Sequence, residues 1–187
     1  MDGDASAAGP GRVRPEVALP RASRAARGSR QAPVHFGFDA GTGRHRVWGT
    51  AFLTHEGLTV NLVGGEVPHI GAVAVSIPRS SLANSRRRST TTSVLTMVGH
   101  KEDELARPVA AELAQTLDRT TVVVAGVHLY RARAADLAKV FENAGRALEV
   151  IVAKVRAAAR ESGHVTHADG PGDRGRWIRA GGGRTHE

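Results

Sequence analysis

The chain has 187 residues, 41% of them hydrophobic but only 4% aromatic, no cysteine, and a formal net charge of +8. That length fits one domain with flanking segments, whose core must be built from Val, Leu, Ile and Ala. The absence of cysteine excludes a disulfide scaffold, thiolate metal sites and a Cys nucleophile, and suits a reducing cytoplasm; no apolar run approaches the roughly 20 residues that cross a bilayer.

Residues 1–33 are rich in Ala, Gly, Pro, Ser and Arg without periodicity, and read as a disordered N-terminal tail. They contain no apolar h-region of a secretory signal, and their prolines oppose the amphipathic helix of a transit peptide. The tail carries six Arg against three acids, and residues 163–187 carry four against three, which leaves 16 basic and 12 acidic residues in the body. A body so mildly basic suits a phosphate ligand as well as a polyanion, so the charge does not by itself indicate nucleic acid.

Val34–Phe38 is a short strand ending in the turn-like run Asp39-Ala40-Gly41-Thr42-Gly43. Arg46–Thr54 is a second strand, and Leu58–Val63 a third with half-buried alternation. After Gly64-Gly65, Ile70–Ile77 reads as a buried strand. Short links between these four make an antiparallel meander the simplest topology. Residues 79–92 form a polar link rich in Arg, Ser and Thr, followed by a strand over Ser93–Val98.

Leu105, Val109, Leu113 and Leu117 then mark a helix from about Glu102 to Leu117. Pro108 shifts its regular start toward that position and makes His100–Arg107 an irregular lead-in. Thr120–Ala125, uniformly β-branched or small, has the composition of a central strand covered on both faces. Leu137, Val140, Phe141, Ala144, Leu148, Ile151, Val152 and Val155 outline a long amphipathic helix. The order β-β-β-β-β-α-β-α predicts an α+β fold: a mostly antiparallel sheet of about six strands with two main helices packed on one face. Residues 34–162 form the single domain, and glycine-rich 163–187 a second disordered tail.

Three segments place polar residues at strand ends. In Gly64-Gly65-Glu66-Val67-Pro68-His69-Ile70-Gly71 the glycines permit close backbone approach, and such turns either cradle a phosphate with successive N–H groups or only satisfy turn geometry. Gly99-His100-Lys101-Glu102-Asp103-Glu104 precedes a helix, where Lys101 and backbone donors could take an anion; ordinary capping is the competing reading. Gly126-Val127-His128 ends the central strand, where ligands of open α/β sheets commonly sit.

His69, His100 and His128 lack the helical spacing of a His-Glu-x-x-His site, which weighs against catalytic zinc. No serine lies in a nucleophile-elbow sequence. Arg86-Arg87-Arg88 could grip a phosphate but also reads as a solvated loop. The lack of interleaved aromatics argues against stacking on single-stranded nucleic acid.

Across residues 34–155 the chain resembles the prenylated-flavin chaperone family, typified by the D subunit encoded with gallate decarboxylase. The resemblance is carried by GGEVPHIGAVAVSIPR (Gly64–Arg79), GHKEDELA (Gly99–Ala106) and VVVAGVHL (Val122–Leu129). It departs after the last histidine, where Tyr130-Arg131 stand in place of a polar pair. The resemblance implies a non-catalytic cytoplasmic protein that binds prenylated flavin mononucleotide (prenylated FMN) and hands it to a UbiD-type decarboxylase in aromatic-compound metabolism. It also implies a proteasome-assembly-chaperone-like domain, often a homodimer. The binding residues expected from motif and resemblance together are Gly64, Gly65, Pro68, His69, Ile70, Gly71, Arg79, His100, Lys101, Glu102 and His128, with Val67 and Leu129 adding apolar surface. Two alternatives remain open at this level: a stabilising decarboxylase subunit without its own cofactor, and a metal-dependent lyase using the histidines and Glu102.

Overall fold

A computed structural model describes residues 33–161. The elements are β1 (Val34–Ala40), a 3-10 turn (Gly43–His45), β2 (Val47–Leu53), β3 (Gly57–Gly65), β4 (Ala72–Ser80), β5 (Arg88–Thr96), α1 (Asp103–Leu117), β6 (Thr120–His128) and α2 (Ala134–Glu161). They form one six-stranded sheet in the order β1-β2-β3-β6-β4-β5. Only the β3–β6 pair is parallel; the other four pairs are antiparallel. The expected α+β class, the mostly antiparallel sheet and the two helices are all present.

The four-strand meander holds for β1–β3 and fails at β4. β6 lies between β3 and β4, parallel to the one and antiparallel to the other. Its run Thr120–His128 carries valines on both faces and lies inside the sheet as expected, but it is covered on one face only: Val123 and Ala125 are buried under the helices, while Val122 and Val124 are half-buried on the open side. The β3–β4 connection, residues 66–71, therefore crosses the end of β6 instead of turning tightly. The N–H of Glu66 donates to the carbonyl of His128 (2.7 Å), and that of Gly71 to the carbonyl of Ala125 (2.9 Å). The crossing is close: a β-carbon on Gly126 would overlap the main-chain carbonyl of His69.

Two local expectations also change. Half of the predicted 79–92 link is paired strand, because β4 runs to Ser80 and β5 starts at Arg88 with Pro78 opposite Thr90 and Arg79 opposite Ser89. β5 is an edge strand, which accepts Ser and Thr on its solvated side. β4 pairs with β6 only over Ala72–Ser76, so Pro78 lies beyond that ladder and its missing N–H costs no bond to β6. The first helix starts at Asp103 and runs through Pro108. Burial of Leu105, Ala106, Val109, Ala110, Leu113, Ala114 and Leu117 offsets the roughly 3 kcal/mol that an internal proline costs.

Both helices cover the same face of the sheet. The register places Ala51, Val60, Val123 and Ala74 in one row, and Gly49, Leu62, Ala125 and Ala72 in the next. These rows pack against α1 and the stripe Val140, Ala144, Ala147, Leu148, Ile151 and Val155 of α2. Small residues at Ala72, Ala74, Ala106, Ala110 and Ala125 let helix and sheet approach closely. The buried polar side chains are satisfied: Ser76 Oγ pairs with Thr92 Oγ1 (2.8 Å), Thr121 donates to the Arg119 carbonyl (3.1 Å), and Asn143 donates to the His45 carbonyl (2.8 Å). The opposite face has no covering layer among the described residues and leaves Trp48, Phe52, Val75, Ile77 and Leu95 exposed.

Replacing Leu113, fully buried under the sheet, by Ala is expected to cost about 2–5 kcal/mol in urea unfolding. Gly126→Ala should cost about 1–3 kcal/mol through backbone overlap with His69. A Gly126→Ala chain as stable as the parent would show that the crossing loop is not tightly seated.

Candidate functional site

The C-terminal ends of β3 and β6, the start of β4 and the end of β5 share one edge of the sheet. The Gly64–Gly71, Gly99–Glu104 and Gly126–Tyr130 segments converge there. Gly65 makes the sharp exit from β3 with φ +75°, its α-carbon packed on the main chain of His128. Pro68 and Ile70 are carried on the crossing loop, and Ile70 is 59% exposed.

At the centre are His69, His100 and Glu102. His69 Nε2 lies 3.0 Å from His100 Nδ1 and 3.1 Å from Glu102 Oε1, and His100 Nδ1 lies 3.5 Å from Glu102 Oε2. On its other side, His69 Nδ1 faces the Val67 carbonyl at 3.1 Å. Glu102, at the N-cap position of α1, is the most sheltered of the three, with its side chain 12% exposed. Its Oε2 accepts the Lys101 N–H (3.0 Å), and the carboxylate rests on the α-carbon of Gly71, where a side chain would displace it. His128 joins from the end of β6, edge-on to His69 with ring centroids 6.1 Å apart and edge-on to Tyr130 at 4.9 Å.

The backbone differs from a phosphate cradle. The N–H groups of Gly65, Glu66 and Gly71 donate to the carbonyls of Arg46, His128 and Ala125, and Lys101 donates its N–H to Glu102. Side chains, rather than these four amides, are what this surface offers a ligand. Arg79 is not brought to the cluster: it lies eight residues along β4 from Gly71, about 26 Å at strand rise, and bonds Thr91 and Ser80. Leu129 is 8% exposed and belongs to the core, so the apolar rim is Val67, Ile70 and Tyr130.

A second polar group at the same edge is invisible to motif reading. Arg44 donates to Glu66 Oε2 (3.1 Å) and to the Tyr130 carbonyl (2.6 Å), while Tyr130 N–H donates to the same Glu66 oxygen (2.7 Å). This clamp ties the 3-10 turn, the crossing loop and the end of β6 together. Beside it, His45 Nε2 meets Asp136 Oδ1 at 2.8 Å. The Arg133 N–H first, and His45 second, hold the Asp136 carboxyl below the usual range, with Arg44 adding a smaller pull. The only sequence signal for these residues is the paired glycines of Gly41-Thr42-Gly43, which allow the turn that carries Arg44 and His45.

The profile of the prenylated flavin chaperone LpdD-like domain matches residues 41–156, which contain every element from the 3-10 turn through most of α2. Among curated proteins none matches the chain. A chaperone family takes the place of the metal-dependent lyase alternative. The chain belongs to the prenylated flavin chaperone LpdD-like family and is a chaperone rather than an enzyme.

Proposed function

We propose that this chaperone binds prenylated FMN at the histidine-bearing edge of the sheet and hands it to an apo-decarboxylase of the UbiD type. The setting is cytoplasmic aromatic-compound metabolism, with a gallate-type decarboxylase as the partner. The observation that carries the reading is the convergence of the three motif segments on one edge, within the region the family profile matches.

The chemistry at this edge fits such a cargo. A phosphate monoester carries about −2 charge at neutral pH, and exposed Lys101 stands beside the cluster to meet it. His100, held through its Nδ1 by His69, presents Nε2 to the polar edge of the flavin, while Val67 (41% exposed), Ile70 and Tyr130 offer apolar area to its ring system. Val67, Ile70 and Tyr130 are exposed to solvent, which suits a carrier that must also release; a Kd near 1 μM corresponds to about −8 kcal/mol.

The carrier acts as a homodimer joined through the open sheet face. Six strands spaced about 4.8 Å apart and about 25 Å long give a face of about 700 Å², close to the roughly 800 Å² per partner of a standard interface. Its centre is apolar or neutral, with Trp48, Val63, Val122, Val124, Val73 and Val75. A face with charges held to its margins meets a second copy of itself without like-charge repulsion.

Titration of the full chain with prenylated and ordinary FMN, followed by flavin fluorescence, tests the carrier. Saturable binding that prefers the prenylated form is expected, weakened about tenfold by His69→Ala and by Lys101→Ala, which is about 1.4 kcal/mol each. No saturation with either flavin overturns the reading and leaves a partner-stabilising subunit in its place. Sedimentation of the parent and a Trp48→Glu, Ile77→Glu double variant tests the dimer. The parent should sediment as a dimer and the variant as a monomer; a monomeric parent sinks the interface.

A further inference from the structure

The His69–His100–Glu102 cluster has a donor arrangement that flavin contact does not explain. His69 Nδ1 lies at hydrogen-bonding distance from the Val67 carbonyl, and its Nε2 faces both His100 Nδ1 and Glu102 Oε1. Two imidazole nitrogens and a carboxylate thus face one another, a set that can share protons or close on a metal ion. His69 Nε2 lies 3.0 Å from His100 Nδ1, and the carboxylate offers Oε1 to His69 at 3.1 Å and Oε2 to His100 at 3.5 Å, separations close to the value of about 3.3 Å expected between ligand atoms placed tetrahedrally 2.0–2.1 Å from a shared ion.

We propose that His69 Nε2, His100 Nδ1 and the Glu102 carboxylate bind a first-row divalent transition-metal ion, zinc fitting best, with an open coordination position facing solvent.

The groups around the three ligands hold them in that pose. A ligating histidine commonly gives its second ring nitrogen to a carbonyl, as His69 does to Val67, which sets the tautomer. The Glu102 carboxylate is oriented by the Lys101 N–H and by the flat surface of Gly71. Two imidazoles and one carboxylate suit zinc and its neighbours rather than Mg²⁺ or Ca²⁺, and no thiolate is available to favour copper(I). Three protein ligands leave room for an exogenous oxygen ligand such as water or a phosphate oxygen. His128, edge-on to His69, lines one side of that opening.

The site also accounts for the loop. Gly126 lets the His69 main chain cross the end of β6, Gly71 lets Glu102 reach His69, and the turn at Gly99 delivers His100 from the end of β5. Three remote segments are placed to within hydrogen-bonding distance at one point, the precision that metal ligation requires.

Metal binding stands apart from the flavin reading and is tested with the metal alone. The full chain, stripped with chelator, is titrated with Zn²⁺ by calorimetry and with Co²⁺ by visible absorption, whose intensity reports tetrahedral coordination. One equivalent per chain with a Kd of about 1 μM or tighter is expected, together with strong Co²⁺ absorption. His69→Ala, His100→Ala and Glu102→Gln should each weaken binding at least about tenfold while circular dichroism shows the fold retained. Exchange of His164, His167 and His186 for Gln, outside the described residues, should leave the stoichiometry unchanged. Absence of binding in the parent, loss only on exchange of those three histidines, or full binding in all three cluster variants overturns the site. Flavin titration of the stripped chain is scored separately, so failure of the carrier reading is distinguishable from failure of the metal site.

Discussion

The rest of the structure depends on the insertion of β6 between β3 and β4. A strand with valines on both faces gains most where strands flank it on either side and helices cover one face, and the centre of the sheet offers that place. Once it is there, the β3–β4 connection has to cross its end, and the crossing requires Gly126 because the main chain at His69 passes where a side chain would stand. The histidine-bearing surface is thus a consequence of strand order. A true four-strand meander would have joined β3 and β4 by a tight turn and left His69 on a hairpin tip, remote from the end of β6.

The same edge gathers charge in a controlled way. Glu66 is neutralised by Arg44 and committed to the Tyr130 N–H; Asp136 is committed to Arg133 and His45. Glu102 sits at the N-terminal end of α1, where helix dipole and backbone donors favour a carboxylate. Glu66, Asp136 and Glu102 are therefore each held by a donor or cation of the protein, while Asp103 and Glu104 add negative charge in the first turn of α1. Lys101 remains exposed beside them, and the imidazoles stay oriented by their fixed neighbours.

A chaperone must hold its cargo and still let go. A deep, enclosed pocket would bury most of a flavin and slow its release, whereas a surface of loop ends around a small polar centre covers only part of it. Among the described residues the helices lie on one face of the sheet, where they supply stability, and the other face leaves apolar area open. Among the described residues no helix is long and apolar enough to cross a membrane.

Local periodicity determined much of this protein. The stripe from Val140 to Val155 is legible because a helix buried on one face must repeat near 3.6 residues, and Thr120–Ala125 because an uninterrupted β-branched run favours an inner strand. The motifs around His69, His100 and His128 are legible as glycine- and histidine-bearing strand ends, and the fold brings them to one end of the sheet. Tertiary structure alone decided the rest. The seat of β6 beside β3, the pairing of Pro78–Ser80 with Arg88–Thr90 and the persistence of α1 through Pro108 follow from burial and register against distant segments, which local propensity does not encode. The separation of Arg79 from the cluster and the arrival of Arg44, His45 and Asp136 beside it have the same origin: a residue's neighbours in space are set by strand order, and strand order is settled by which faces the whole chain can cover.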